Sequence, residues 1–430
     1  MIDPSRHIRP EDPETHAMTR DPHPAAPASR WAARTFASLA HRNYRIYFVG
    51  QFVSLVGMWM SSAAQSWLVY DLTRSEAMLG AVGVAGSVPV LAVSVWGGIL
   101  ADRFPRRRIL IACQVAFALL AAILATLVLT GVIQVWHILV LSTVGGIVGG
   151  IEMPSRQAFV IEMVGRRDMM NAIALNSSVF HASRILGPAI AGVVIAAWGT
   201  GLCFLANALS YGAVLAALLA MRLHAMAPSP PPTGSAWHQA TEGFRFVARA
   251  PRVLGLLLLM LAVGVFGWSY VVLLPALARD TLGTDADGYG WMMSATGVGS
   301  VVGALWIAAT RDIRSGRFLV AGSIGLFAVS AIALSWVDSL PVAILLLAPA
   351  GMGLTAFFSG TNTLIQSSVD DAVRGRVMGV YTLVYGLLMP VGAGFAGTLA
   401  EMTSTPLAIR VGAFVCLGTA IVAFVKRPPA

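Results

Sequence analysis

Two ionisable side chains set within long apolar runs, Glu152 and Arg184, are the residues of this sequence best placed to do chemistry. A charge in hydrocarbon is costly, so such a group lines a cavity or finds a partner. At 1.5 Å per residue from the polar turn that the two segments share, Glu152 lies about 16 Å and Arg184 about 24 Å along its helix, a gap that a long arginine side chain bridges. The pair reads either as a proton carrier beside its counter-charge or as a structural salt bridge between adjacent helices. As a carrier, Glu152 would change protonation whenever its distance from Arg184 changed. His181, about one turn before Arg184, is a proton relay in the first reading and a hydrogen-bonded helix residue in the plainer one. Asp71, Glu162 and Glu401 fall at the ends of apolar runs and compete less well.

A second constellation is Gly98-Ile99-Leu100-Ala101-Asp102-Arg103-Phe104-Pro105-Arg106-Arg107-Arg108, a small-residue helix end followed by one acid and a knot of arginines. Charge at a bilayer centre costs roughly 2.5–3.5 kcal/mol per residue, so this cluster must lie outside the hydrocarbon, and its excess of arginine puts it on the cytoplasmic side. Asp102 is positioned to cap the turn that follows, or to pair with Arg156 or with Arg374 and Arg376 much later in the chain.

The elements that must position these groups are membrane helices. Of 430 residues, 57% are hydrophobic and 11% charged, against about a quarter charged in a soluble domain. The net charge of +9 does not indicate nucleic acid, because the basic residues are scattered singly through short loops and form no stripe with interleaved aromatics. Cys113, Cys203 and Cys416 lie in apolar runs, without partners at metal-ligand spacing, so they read as packing residues and no metal or cofactor is expected.

Twelve apolar runs reach the roughly 20 residues that a helix needs to cross a bilayer, at about 45–70, 78–100, 108–130, 137–160, 171–197, 201–222, 252–278, 289–310, 317–336, 341–366, 377–400 and 406–425. With both termini inside, all of the 29 Lys and Arg residues except Arg74, Arg184, Arg279 and Arg410 fall at the cytoplasmic side, as the positive-inside rule requires. Residues 1–40 carry no apolar period and read as a disordered cytoplasmic tail, with Met1 or Met18 as its start.

The proline-rich stretch Pro228 to Ser235 divides the chain into a first half, 41–222, and a second, 252–430, joined by a linker at 223–251. Within that linker Trp237, Ala240, Phe244 and Val247 recur at helical spacing beside Arg245, Arg249 and Arg252, which fits a helix lying at the cytoplasmic interface. A repeat at an offset of 205 aligns Gln157 with Asn362, Asn171 with Arg376, Gly187 with Gly392 and Gly192 with Gly397. The expected fold is therefore an all-α membrane protein, twelve transmembrane helices in two pseudo-symmetric six-helix halves, an architecture in which substrate is handled where the halves meet. Glycine pairs such as Gly145, Gly146, Gly149 and Gly150, and also Gly297, Gly299 and Gly303, read as helix-packing positions.

These residues resemble the major facilitator superfamily. The Gly98 to Arg108 loop looks like that superfamily's signature between its second and third helices, and Gly187-Pro188-Ala189-Ile190-Ala191-Gly192 looks like the motif of its exporters. Arg42 to Phe48, Trp67 to Thr73, Pro154 to Phe159 and Leu274 to Asp280 resemble the branch containing the enterobactin exporter. The resemblance implies a bacterial inner-membrane exporter, driven by the proton gradient, that moves siderophores or drug-like molecules outward. It also implies that the segment around Gly187, Pro188 and Gly192 keeps the cavity from leaking protons. Pairing of Asp102 with Arg156 or with Arg374 and Arg376 is expected to hold the inward-closed, outward-open state, which makes Gly98, Asp102, Arg103, Arg106, Arg107, Arg156, Arg374 and Arg376 the expected gating residues.

For substrate contact the first and seventh spans offer Gln51, Ser54, Trp59, Gln65, Phe266, Trp268 and Tyr270, aromatic walls with a few amides that suit amphipathic molecules better than small ions. The expected partners are a small-molecule substrate, protons and the lipid bilayer, and one copy suffices to form the pathway. The alternative is a non-transporting membrane sensor or assembly partner of the same fold. An enzyme would need converging nucleophile, base or metal ligands, which the dispersed histidines do not provide.

Overall fold

Helices account for the regular structure of the computed structural model, which describes residues 37–221, 236–268, 270–310 and 316–425 and contains no strand among them. The expected tail up to residue 36, the proline-rich linker at 222–235, the second-half loop at 311–315 and the last five residues lie outside the described residues. So do the side chains of His181, Trp237 and Ala240.

In the first half, α1 spans Arg42–Thr73, α2 Glu76–Arg103, α3 Arg106–Leu129, α4 Val135–Gly165, α5 Asn171–Trp198 and α6 Thr200–Ala220. After the helix α7, Ala236–Arg249, the second half contains α8 Pro251–Thr281, α9 Ala286–Ala309, α10 Gly316–Leu334, α11 Leu340–Ser367, α12 Asp371–Met402 and α13 Thr405–Val425. Eleven of these are long and apolar enough to cross a membrane, and the apolar part of α10, Phe318–Leu334, is the shorter twelfth. Helices are what such a sequence must form, because lipid offers no partner for an open backbone N–H or C=O.

Local chemistry sets the boundaries. The Ser75 hydroxyl accepts from Met78 N at 3.3 Å and opens α2. Gly165, at φ 71°, turns the chain between α4 and α5, a conformation that a side chain would disfavour. The last four residues of the segment expected to be a disordered tail are ordered. Ala37–Ala40 form a 3-10 turn in which Ser38 N donates to Asn171 Oδ1 at 2.9 Å and Ser38 Oγ to Asp168 O at 3.0 Å. These bonds tie the entrance of α1 to the start of α5.

α8 is broken. Its first part ends at Gly267, Trp268 N bonds back to Val263 O at 3.2 Å, the helix resumes at Tyr270, and Leu277–Thr281 close it as a π turn. Pro275 lacks an N–H and crowds the preceding turn, which is the physical reason for an irregular segment here.

The repeat seen in sequence is also a repeat in packing. In the first half α2 and α4 approach backbone to backbone, with Gly150 against Val90 O, and in the second half α9 and α11 do the same, with Gly303 and Gly351 against Met352 and Thr296. The offset-related glycines occupy equivalent crossings. Gly187 abuts Trp59 and Met60 of α1, while Gly392 abuts Val265 of α8; Gly192 meets Gly290 of α9, while Gly397 meets Gly80 of α2. The last two crossings join the halves.

The seam between α2 and α12 runs from Gly80 and Gly397 to Leu91 and Gly386. Nearer the arginine-rich loop, Gly98 and Gly379 each have nothing within 4 Å of an added Cβ. The close glycine contacts between α2 and α12 therefore lie toward the end away from that loop. Gly98, expected to permit close helix approach, has no such neighbour in this conformation; the adjacent Gly97 takes that role against Gly150 and Ile151.

Candidate functional site

Arg184 lies near the middle of α5, about 20 Å from either end at 1.5 Å per residue. One turn beyond it Gly187 brings α5 onto Trp59, and the adjacent Ile185 sits against Gly297 of α9, so Arg184 lies next to a contact between the halves. Its guanidinium carbon lies 4.4 Å from the ring centre of Trp268 in the second half and 5.7 Å from that of Trp59 in the first. Further aromatics continue the enclosure. Phe180 packs edge-on to Trp59, Phe358 edge-on to Trp268 and to Tyr385, and Tyr381 stacks on Tyr385. Tyr385 and Tyr270 are both close enough to act on the arginine's charge.

No carboxylate comes within 4.0 Å of Arg184 among the described residues. The expected pairing with Glu152 does not form. Glu152, 8% exposed, instead meets Arg156, one turn along the same helix, at 3.0 Å between Oε1 and Nε. The Nε–H does not point at the carboxylate, so the contact is an ion pair without a well-directed hydrogen bond. The physical reason is rotational. Glu152 also lies about 20 Å from the Gly165 turn, but it faces the interior of the first half, where its charge acts on Tyr47, Cys113 and Tyr211. Cation–π contacts offset Arg184's burial by about 0.5–2 kcal/mol each, less than the several kcal/mol that removing an ion from water costs.

The arginine-rich loop fastens the first half internally. Arg106 pairs with Glu162 of α4, and Arg107 donates to Leu218 O at 2.8 Å and Leu219 O at 3.1 Å, satisfying the end of α6. Arg103 is exposed. The expected partnership of Asp102 with Arg156 is absent, because Arg156 has turned to Glu152; Asp102, its side chain 54% exposed, meets Arg106 at 4.0 Å. Arg374 donates to Gln366 O at 3.2 Å and Val369 O at 3.4 Å within its own half, and Arg376 begins the apolar stretch of α12.

At the opposite end a polar network spans the halves, and most of it escaped sequence reasoning. Arg279 lies 3.4 Å from Asp71 and 2.8 Å from Asp285, with its guanidinium over Trp67. Tyr70 donates to Asp280, which also faces Arg74 at 3.9 Å. Glu401 accepts from Ser75 Oγ at 2.7 Å and Ala77 N at 3.2 Å, so a carboxylate of the second half caps the first turn of α2. Thr405 donates to Glu76 at 2.8 Å.

Of the proposed substrate contacts, Trp59, Trp268 and Tyr270 are brought to the Arg184 cluster. Gln51 and Ser54 are buried, Ser54 on the side of α1 whose Gly50 and Gly57 face α6. Gln65 donates to Ser142 of α4 at 3.1 Å, and Phe266 packs edge-on to Phe395. Phe180, Phe358, Tyr381 and Tyr385 were missed, since aromatics in an apolar run give no sign of which way they face.

Residues 33–430 match the model of a family described as transmembrane secretion effector. The chain is 26% identical to the staphyloferrin A transporter of Staphylococcus aureus, over 81% of this chain and 87% of that one. It is 25% identical to the enterobactin exporter EntS of Escherichia coli, over 88% and 90%, and 26% identical to the multidrug efflux pump Tap of Mycolicibacterium fortuitum, over 80% and 86%. Among solved structures, the nucleoside transporter NupG superposes with a TM-score of 0.67 at 12% identity, covering 90% of this chain and all of that one.

Proposed function

The chain belongs to the transmembrane secretion effector family of major facilitator transporters, and on that premise we propose that it is a proton-coupled exporter that moves a siderophore or an amphipathic drug-like molecule out of the cell by alternating access. The observation that carries this reading is the Arg184 cluster, formed by both halves beside the glycine contacts that join them, and we read the halves as parted on its other side, toward the arginine-rich loop. A site so placed is reached from one face at a time when the halves rock about it. The relatives' names, two siderophore transporters and a drug pump, agree with an amphipathic solute.

The arginine-rich loop puts the parted end in the cytoplasm by the positive-inside rule, with both termini on that side. The conformation is then inward-open. Amphipathic α7, whose Val247 is buried while Phe244 is exposed, lies at the same surface. Opening the other way requires the polar network at the outer end to separate and the arginine-rich end to close, which would bring Gly98 and Asp102 toward Arg374 and Arg376.

Glu152 is the proton carrier in this account, and Arg156, not Arg184, is its counter-charge. A carboxylate buried in a spanning helix is a functional site by default, because its ionisation can be switched by small changes in its partner's distance. His181 retains its proposed relay role only as a neighbour of Arg184 in sequence.

The test is transport in inverted membrane vesicles under an imposed pH gradient, with a catecholate siderophore and a cationic dye as solutes. Uptake that collapses on adding a protonophore supports the reading. Uptake indifferent to the gradient contradicts proton coupling, and no uptake of either solute favours a non-transporting sensor.

A further inference from the structure

We infer that the Arg184 cluster is an anion subsite that selects solutes joining an aromatic ring to a negative charge, such as a carboxylate or catecholate, over cations of the same shape. The inference deepens the transporter reading and rests on it for the meaning of the site.

Three observations converge. First, the positive charge of Arg184 is without an acidic partner among the described residues, where these acids are engaged elsewhere: Glu152 by Arg156, Glu162 and Asp102 by Arg106, Asp71 by Arg279, Asp280 by Tyr70, Glu76 by Thr405, and Glu401 by Ser75 and Ala77. A cation near the middle of a bilayer is stabilised only in part by ring faces, so a negative group on a solute supplies a stabilisation that these residues do not.

Second, a polar atom beside it is a donor in want of an acceptor. Trp59 Nε1 is buried and without a hydrogen-bond partner among the described residues. An indole N–H only donates, and a guanidinium carries donors and no acceptor. A ligand rich in acceptors satisfies this set, whereas an ammonium or other cation brings more donors and a like charge.

Third, the arginine remains reachable. It is only half-buried, and Tyr385, which acts on its charge, is 42% exposed. The two indole faces that flank the guanidinium belong to different halves, so a flat aromatic ring entering beside them contacts both halves at once.

The experiment is calorimetric titration of the full-length protein in lipid nanodiscs, without any gradient, with 2-naphthoate and 2-naphthylmethylammonium, probes of one ring system and opposite charge. The expected result is tighter binding of naphthoate by about tenfold or more, a preference lost in Arg184→Gln and kept in large part in Arg184→Lys. The comparison of the two probes on the unaltered protein needs no variant, so misfolding of Arg184→Gln does not remove the test. Equal binding, tighter binding of the ammonium, no binding of naphthoate, or an unchanged naphthoate affinity in a folded Arg184→Gln overturns the inference. Failure of the transporter reading gives a different pattern, charge-selective binding without gradient-driven uptake.

Discussion

Asp71 of the first half and Arg279 of the second face each other across the end of the molecule away from the arginine-rich loop, Oδ1 to Nη2 at 3.4 Å. Both side chains are partly exposed, at 46% and 30%, and an ion pair in that setting is worth about 0–1 kcal/mol. The pair is therefore weak enough to break on each cycle. Asp71→Asn should shift the population toward the state open at that end by up to about fivefold, read as the distance between spin labels placed on α1 and α8. Combining it with Arg279→Gln should add less than the sum of the single effects, since both remove one contact. Additive shifts would mean that the two residues act separately.

Gly192 and Gly290 make a more rigid contact. A Cβ at Gly192 would lie 2.7 Å from the Gly290 Cα, so no side-chain rotation relieves it. Gly192→Val forces α5 from α9, and overpacking of this kind costs about 1–3 kcal/mol. The same spin-label distances should show the outer end held open, with transport lost and detergent-extracted protein still monodisperse. A wild-type distance distribution would remove this crossing from the gating account.

Gly98 presents the converse case. With nothing within 4 Å of an added Cβ, Gly98→Leu should leave this conformation no less stable, within about 0.5 kcal/mol. If α2 and α12 close on one another at the arginine-rich end, the leucine obstructs that closure, and transport should fall by about tenfold or more while thermal stability is kept. Full transport by Gly98→Leu would show that the two helices do not meet there.

Much of the fold was legible in the sequence because a membrane leaves few alternatives, and an apolar run of sufficient length in lipid is a helix. The glycines at an offset of 205 pointed to real crossings, since close backbone approach demands a missing side chain at a definite position, as at Gly192 and Gly397. Depth was legible only roughly: Glu152 and Arg184, expected about 16 and 24 Å from their shared turn, each lie about 20 Å along their helices. Rotation about the axis was not, which is why Glu152 and Arg184 were expected to meet and instead face different surroundings. Apolar membrane helices lack the polar face that reveals orientation in a soluble helix. The capping of α2 by Glu401 joins residues 326 positions apart, with no local motif to announce it.

Exchange of a proton on Glu152 for a solute at Arg184 is the proposed transport step, and it is measured most directly as solute-triggered proton movement in proteoliposomes containing the wild type or Glu152→Gln. Once a transported solute is in hand, the wild type should move protons against solute flow under a pH gradient, and Glu152→Gln should bind that solute with wild-type affinity yet lose gradient-driven transport by about a hundredfold. Proton-coupled turnover at the wild-type rate in Glu152→Gln would contradict the account.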